Sequence, residues 1–211
     1  MARTDSTRRW YLFDYGNVIS TAPTPEDWDR LAEATGVDRL QDRGSSYWRH
    51  RIAYDAGSLT SDEYWSLVQG RRVSPARSAW FDVLDAHQWS HLNVEVLDVL
   101  EDLEARGERL AVLSNMPAAM VVQFAGAPWT RLVGHSFFSS SLRLVKPAPA
   151  SFEHVLADLQ AAPEQVTFVD DSPANVAAAR SLGIHGLLFE PSSDLSRVLA
   201  QSLAVSPASR D

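Results

Sequence analysis

Six polar residues in four parts of the chain have the types and spacing that a catalytic site requires. Three of these groups directly follow apolar, strand-like runs at 10–13, 109–113 and 165–169, and the fourth precedes a predicted helix at about 151–160. Because the carboxyl ends of parallel strands meet at one edge of a sheet, we expect the side chains to converge on one crevice. They are Asp14, Ser114 and Asn115, Lys146, and Asp170 and Asp171.

The chemistry of this set is that of phosphoryl transfer. Asp14 and Asp171 supply carboxylate oxygens with no His or Cys among the grouped residues, and such a donor set suits Mg²⁺ rather than zinc. Lys146 is the single lysine among 19 basic residues, and it adds positive charge for the phosphoryl oxygens. The Ser114 hydroxyl and nearby backbone N–H groups can hold the remaining oxygens. Asp14 is then free to attack phosphorus and form an aspartyl-phosphate.

Each of these residues also has an ordinary structural interpretation. Ser114 can cap a helix, Asn115 and Asp171 can shape turns, and Lys146 can be a solvated surface charge. Four such coincidences at matching strand ends are less probable than one shared site, so the pattern favours a site.

The elements that position these residues alternate between strand and helix from Asn93 onward, which predicts an α/β protein with a doubly wound, mostly parallel sheet. The predicted strands cover 10–13, 109–113, 135–139, 165–169 and 186–189. Helices are expected after Asn93 and Pro117, over about 151–160, from Ser172-Pro173 to Gly183, and in the tail before a polar end at 206–211.

Between the first strand and the rest, the pattern predicts four consecutive helices that form a small bundle. The first runs from Pro25 to Gly36, the second covers about 38–55, the third opens at the capping box Thr60-x-x-Glu63, and the fourth opens at Ser74-Pro75. We therefore predict a core domain of residues 1–19 and 90–211 with a helical cap domain, residues 20–89, inserted after the first strand.

Composition narrows the classes of partner. The chain has 211 residues and a formal net charge of −8, which argues against nucleic-acid and anionic-membrane partners. It has no cysteine, so disulfides, thiolate metal sites and a cysteine nucleophile are excluded. The polar, basic segment 1–9 lacks a signal-peptide hydrophobic region, and we expect a cytoplasmic protein, either a monomer or a homodimer.

Four segments together resemble the ordered motifs of the haloacid dehalogenase-like (HAD) hydrolase superfamily. They are Phe13-Asp14-Tyr15-Gly16-Asn17-Val18, Leu113-Ser114-Asn115, Lys146-Pro147 and Val169-Asp170-Asp171-Ser172-Pro173-Ala174-Asn175. The helical insertion resembles the C1 cap of that family, so the resemblance covers nearly the entire chain. It implies a Rossmann-like core and a Mg²⁺-dependent phosphatase of a small phosphorylated substrate.

The resemblance also implies a role for each residue. Asp14 would be the nucleophile and a metal ligand, with the Gly16 carbonyl and Asp171 as further metal ligands. Ser114, Asn115 and Lys146 would bind the phosphoryl group, and Lys146 would also steady the nucleophile. Asp170 and Asn175 would orient Lys146 and the metal site from behind.

Gly16 departs from the family pattern, because phosphatases of the family usually carry a second Asp at this position as the general acid and base. Glycine cannot transfer a proton, and that work is worth about 10²–10⁴-fold in rate. A subgroup of similar proteins that hydrolyses sugar 1-phosphates shares the Asp-x-Gly-Asn-Val form. A donor from the cap is the alternative, and the predicted candidates are Arg49 and His50 in the segment Arg49-His50-Arg51.

Three other hypotheses compete with the phosphatase. Gly16 motivates a catalytically weak or silent member that binds a phosphorylated ligand or a partner protein. A 2-haloacid dehalogenase also uses a nucleophilic Asp, but that reaction needs no metal and would leave the Asp170-Asp171 pair unexplained. A phosphomutase is disfavoured because it needs an acid and base at both steps. The six histidines show no metal-ligand spacing and, apart from His50, are predicted to be structural or surface residues.

Overall fold

A computed structural model describes residues 9–191 and 195–204, so the predicted polar end at 206–211 and most of segment 1–9 lie outside the described residues. Five parallel strands form one sheet in the order β3-β2-β1-β4-β5. The predicted α/β fold with a doubly wound parallel sheet is confirmed. The strands are β1 Trp10–Phe13, β2 Arg109–Ser114, β3 His135–Phe138, β4 Val166–Asp170 and β5 His185–Leu188.

Helices account for the rest of the regular structure. Five lie between β1 and β2, and the first four of them form the cap: α1 Pro25–Thr35, α2 Ser46–Asp55, α3 Ser61–Gln69 and α4 Pro75–Gln88. The others are α5 Val94–Ala105, α6 Ala118–Gln123, α7 Ser139–Leu142, α8 Pro149–Leu159, α9 Pro173–Ser181 and α10 Leu195–Ala204. Across the described residues, no helix has both the length and the apolar character needed to cross a lipid bilayer.

Two predicted helices are shorter in the structure. Residues 38–45 form turns, so α2 begins at Ser46 rather than near 38; Arg39 has a positive φ of 57°, and the Ser45 hydroxyl donates to the Leu40 carbonyl at 2.7 Å. Such side-chain bonds to the backbone compete with helix formation. The helix after Pro117 has six residues instead of about ten. The predicted Pro25 start and Gly36 end of α1 and the predicted capping box of α3 at Thr60 and Glu63 are confirmed.

The central strand β1 is buried on both sides. Tyr11 and Phe13 pack into one apolar cluster with residues of α5, whereas Trp10 and Leu12 pack into another on the opposite face with residues of α8. In β1, Phe13 lies opposite Val112 of β2 and Val169 of β4. This register brings the residues that follow β1, β2 and β4 to one edge of the sheet.

The cap helices pack around a separate apolar cluster that includes Leu31, Tyr47, Trp65 and Phe81. This arrangement suits a distinct helical unit, although the boundaries at 19/20 and 89/90 stay a prediction.

Hydrogen bonds join the cap to the core in two places, and α4 of the cap also packs against α6 of the core. In the first, which we call the paired connection, the two segments that join cap and core run side by side: Ser20 pairs with Leu92, and the Thr21 N–H donates to the His91 carbonyl at 2.7 Å. In the second, the α7 contact, the Ser139 hydroxyl donates to the Asp55 carbonyl at 2.6 Å, and the Arg143 guanidinium donates to the Gly57 carbonyl. The cap is thus held at two places by different kinds of bond.

Histidines that the sequence assigned to structure or surface lie near the paired connection. His91 Nε2 lies 2.8 Å from Asp27 Oδ2, and His87 Nδ1 lies 3.7 Å from Asp27 Oδ1. The prediction that the histidines show no metal-ligand spacing is wrong for this pair, because the His87-x-x-x-His91 spacing places both rings near the Asp27 carboxylate.

A buried cation links two helices of the cap. Arg51 Nε lies 2.7 Å from Asp55 Oδ1, and Arg51 Nη1 lies 2.9 Å from Asp85 Oδ2. Replacing Arg51 with Met is expected to lower the free energy of unfolding by about 3–5 kcal/mol, because both buried carboxylates would lose their shared cation. Urea unfolding followed by tryptophan fluorescence measures this loss. Arg49→Met, on the same helix but exposed, is the matched control; equal losses in the two variants would contradict the prediction.

Candidate active site

Asp14 lies immediately after β1, where a tight turn at Tyr15–Ile19 begins. Its Oδ1 accepts a hydrogen bond from the Tyr15 N–H at 2.7 Å, and its own N–H donates to the Val169 carbonyl at 2.9 Å. Asn17 adopts a left-handed φ of 59° in this turn, and its amide donates to Asp171 Oδ2 at 2.9 Å. The turn therefore holds the ends of β1 and β4 in a common arrangement.

Lys146 bridges two buried carboxylates. Its Nζ lies 2.8 Å from Asp14 Oδ1 and 2.7 Å from Asp170 Oδ2. The Asn175 amide in turn donates to both oxygens of Asp170 at 3.0 Å. Burial alone would lower the pKa of Lys146, but the two carboxylates raise it above its ordinary value. The lysine is therefore a fixed cation, and Asp170 and Asn175 orient it.

Asp14 is destabilised as an anion by its surroundings. Burial raises the pKa of Asp14 to about 7, Lys146 acts to lower it, and the nearby charges of Asp170 and Asp171 raise it further. Additional positive charge beside Asp14 would favour the carboxylate that a nucleophile requires.

The same carboxylates fit a divalent cation. Oxygens of Asp14, Asp170 and Asp171 lie within 4.8 Å of one another, and Gly16 lines the same cavity as Asp14 and Asp171. Oxygen donors of this kind suit Mg²⁺. Because Asp170 already accepts bonds from Lys146 and Asn175, Asp14 and Asp171 are the better available ligands.

Ser114 and Asn115 lie at the end of β2, as the strand pattern requires. The Asn115 amide donates to the Lys146 carbonyl and its Oδ1 accepts from the Lys146 N–H, both at 2.9 Å. The Lys146–Pro147 peptide bond is cis. Asn115 therefore positions the lysine loop, and its predicted contact with a phosphoryl group stays a prediction. Ser114 is buried but lines the cavity.

A cavity of about 620 Å³ opens above these residues, between the core and the cap. Its core side carries Asp14, Ser114, Lys146 and Asp171, so the polar groups predicted at separate strand ends do converge. The size falls within the range of small-molecule sites. Its cap side is lined by Trp28, Gln41, Arg43, Trp48, Arg51, Asp55 and Trp89.

Trp89 lies beside Gly16, on the side where the usual general acid is absent. A Cβ added to Gly16 would lie 3.6 Å from Cζ3 of the Trp89 ring. Trp89 is held at its backbone and at its ring: the Tyr15 hydroxyl donates to the Trp89 carbonyl at 2.9 Å, and Trp89 Nε1 donates to the Tyr47 hydroxyl at 3.3 Å. An indole ring therefore borders Gly16, and it offers no acid to a leaving group at this point.

The predicted cap residues Arg49 and His50 are not among the residues that line the cavity. Arg49 is exposed and donates to the Gly44 carbonyl at 3.2 Å. Arg51 and Asp55, which lie on the same helix, line the cavity instead. Their i, i+4 spacing on a predicted helix was a sequence pattern that could have identified Arg51 and Asp55. No such pattern identified Trp48 and Trp89 as lining residues.

Comparison with protein families agrees with this geometry. A family model described as haloacid dehalogenase-like hydrolase matches residues 28–183. A solved structure of a HAD family enzyme from Bacteroides thetaiotaomicron, in complex with magnesium and inorganic phosphate, superposes with a TM-score of 0.74 at 19% identity, covering 90% of this chain and 98% of that one. At that identity the likeness shows the fold.

Two relatives are similar in sequence. Drimenol cyclase drtB from Aspergillus calidoustus is 32% identical over 96% of this chain, but the chain spans only 38% of that protein's length. Sesquiterpene phosphatase astK from Aspergillus oryzae is 28% identical over 83% of this chain and 87% of its own length.

Proposed function

Because the chain belongs to the haloacid dehalogenase-like hydrolases, we propose that it is a Mg²⁺-dependent phosphatase of a small phosphorylated metabolite. The observation that carries this proposal is the cluster of Asp14, Lys146 and Asp171 on one wall of the cavity between the core and the cap. The lysine is paired and oriented, and the carboxylates can hold a cation. This is the arrangement that attack by a carboxylate on a phosphoryl group requires.

In the proposed reaction, Asp14 attacks phosphorus. Its Oδ1 is engaged by Lys146 and the Tyr15 N–H, so we assign the attack to Oδ2, for which no hydrogen bond is found among the described residues. Lys146 and the Ser114 hydroxyl would hold phosphoryl oxygens. Asp14, the Gly16 carbonyl and Asp171 would hold Mg²⁺, which when bound neutralises charge that develops on those oxygens. Water then hydrolyses the aspartyl-phosphate.

The cap side of the cavity favours a substrate with an apolar organic part. Trp28, Trp48 and Trp89 form a continuous aromatic wall, with ring centroids 6.1 Å and 6.4 Å apart, and Met120 also lines the cavity. Apolar and aromatic surface of this kind binds hydrocarbon more readily than a sugar ring. Similarity to a sesquiterpene phosphatase supports the same inference, and we propose terpenyl-like monophosphates ahead of sugar phosphates.

A phosphate-release screen tests the function. Purified protein is offered farnesyl monophosphate, a panel of sugar 1-phosphates and sugar 5-phosphates, and p-nitrophenyl phosphate, each with Mg²⁺ and with excess EDTA. We expect release from farnesyl monophosphate that depends on Mg²⁺ and exceeds release from the sugars. A folded protein that releases no phosphate from any member of the panel would contradict the proposal.

The same screen separates two alternatives. Gly16 beside the Trp89 ring favours a silent member, which would bind a phosphorylated ligand tightly and release no phosphate. A 2-haloacid dehalogenase would instead release chloride from 2-chloropropionate without added Mg²⁺.

A further inference from the structure

Asp55 is a carboxylate that the proposed reaction has not used, although it lies on the wall of the cavity. It is the last residue of α2, and it lines the same cavity as Asp14, Gly16 and Trp89. It comes from the cap, whereas the other carboxylates of the cavity come from the core. A buried acid on the wall of the same cavity is a candidate to exchange protons with a substrate.

The surroundings of Asp55 hold its backbone and one of its two oxygens. Oδ1 accepts from Arg51 Nε at 2.7 Å, and Arg51 also pairs with Asp85. The Asp55 carbonyl accepts from the Ser139 hydroxyl, which itself accepts from the Met116 N–H at 2.9 Å. Asp55 is thus tied to the residue that follows Asn115. Within the described part of the chain, Oδ2 has no hydrogen-bond partner.

The other titratable residues of the cavity are poorly suited to deliver a proton. Lys146 is held between two carboxylates, and arginines do not release protons at ordinary pH. The hydroxyl of Tyr15 donates to the Trp89 carbonyl, and burial raises its pKa far above neutrality. Asp14 and Asp171 are assigned to the nucleophile and the cation. Asp55 is the acid that remains among the described lining residues.

We propose that Asp55 replaces the general acid that Gly16 lacks and protonates the leaving oxygen of an alkyl phosphate. This inference rests on the proposed phosphatase function. As the bond between Asp14 and phosphorus forms, the bond from phosphorus to the ester oxygen breaks, and that oxygen takes the Asp55 proton and leaves as an alcohol. The Asp55 carboxylate then takes a proton from the water that attacks the aspartyl-phosphate, which restores both carboxyl groups and releases phosphate.

The electrostatic setting of Asp55 suits this role. Burial raises the pKa of Asp55 to about 6; Arg51 acts to lower it and Asp85 to raise it. The other charged or titratable groups that face this end of α2 are Tyr64 on α3 and Arg143, which binds the Gly57 carbonyl. A raised pKa keeps the acid protonated to higher pH, and a pKa near the working pH is what proton transfer favours.

Two phosphate esters that differ in their need for a proton test the proposal in the Asp55→Asn variant. For 2-phenylethyl phosphate, whose alkoxide is a poor leaving group, we expect kcat/KM to fall about 100-fold. For p-nitrophenyl phosphate, whose leaving group departs unprotonated, we expect kcat/KM to change less than about threefold. Equal losses on both esters, or no loss on either, would overturn the proposal.

Matched controls separate proton transfer from structure. Asp85→Asn removes the other carboxylate that pairs with Arg51 without touching the cavity lining; because Asp85 raises the pKa of Asp55, this variant should move the fall of the ester ratio to lower pH and not abolish the preference. Gly16→Asp, whose added Cβ makes only ordinary contacts with Trp89, should restore at least part of the 2-phenylethyl phosphate activity lost in Asp55→Asn. A folded wild-type protein that releases phosphate from neither ester nor from any member of the earlier panel overturns the phosphatase function itself.

The wild-type protein provides a test that needs no variant. The ratio of kcat/KM for 2-phenylethyl phosphate to that for p-nitrophenyl phosphate cancels the titrations that both esters share. With Asp55 as the donor, this ratio should fall as pH rises through about 6, because the acid is lost there. A ratio that is flat with pH would overturn the proposal even where the Asp55→Asn variant does not fold.

Discussion

Replacing Asp14 with Asn is expected to lower phosphate release on the order of 10⁴-fold or more, the scale seen when a catalytic nucleophile is removed. The amide keeps the shape of the carboxyl group and can still accept from the Tyr15 N–H. It cannot attack phosphorus to form an aspartyl-phosphate. Steady-state phosphate release with Mg²⁺ measures the loss, and the native far-UV circular dichroism spectrum shows that the variant is folded.

A trapping experiment links this loss to the nucleophile. Acid quenching during turnover should leave one phosphoryl group on the peptide that contains Asp14 in the wild-type protein and none in Asp14→Asn. Asp102→Asn, on the exposed surface pair with Arg106, is the control and should match wild type. Turnover at the parent rate in Asp14→Asn would refute the assignment of the nucleophile.

Replacing Lys146 with Met is expected to damage both activity and stability. Asp14 and Asp170 lie within 2.8 Å and 2.7 Å of the ammonium group, and both would lose their cation in a buried site. Breaking a buried ion pair in this way costs about 3–5 kcal/mol in the free energy of unfolding. Phosphate release should fall below detection, because the phosphoryl oxygens also lose a fixed positive charge.

Urea unfolding and phosphate release measure the two effects of the lysine separately. In the double variant Lys146→Met with Asp170→Asn, removing one unpaired carboxylate should recover part of the stability but none of the activity. Arg106→Met, an exposed cation, is the matched control and should change stability by less than about 0.5 kcal/mol. A stable, inactive Lys146→Met would contradict the structural half of the prediction.

The core and its polar edge could be predicted from sequence because their signals are local. Each buried run ends in a polar residue, and parallel strands bring those ends together whatever the details of packing. The convergence of Asp14, Ser114 and Asp171 was therefore predictable from local sequence alone, and their catalytic roles stay a prediction. Lys146 was predicted as a site residue because it is the single lysine of the chain and because it matches the family pattern.

The cap side of the site could not be predicted in the same way. Which face of α2 turns toward the cavity depends on how four helices pack. The predicted residues Arg49 and His50 do not line the cavity, whereas Arg51 and Asp55 of the same helix do. Trp89 lies 73 positions from Gly16 in the chain, so no local pattern connects them. The turns at 38–45 were not predicted for a related reason, since a side-chain hydrogen bond to the backbone there replaces helical hydrogen bonds.

The two hydrogen-bonded connections between cap and core differ in what it takes to break them. The paired connection is continuous with the chain and can act as a hinge. The α7 contact consists of side-chain bonds to two carbonyls and can act as a closure contact. Rotation of the cap about the paired connection would have to break the α7 contact. Trp89 lies beside the paired connection and Asp55 at the α7 contact. Such a rotation of the cap would therefore carry the acid away from the nucleophile while the indole stayed in place. Proton delivery to the leaving group would then require the closed position of the cap.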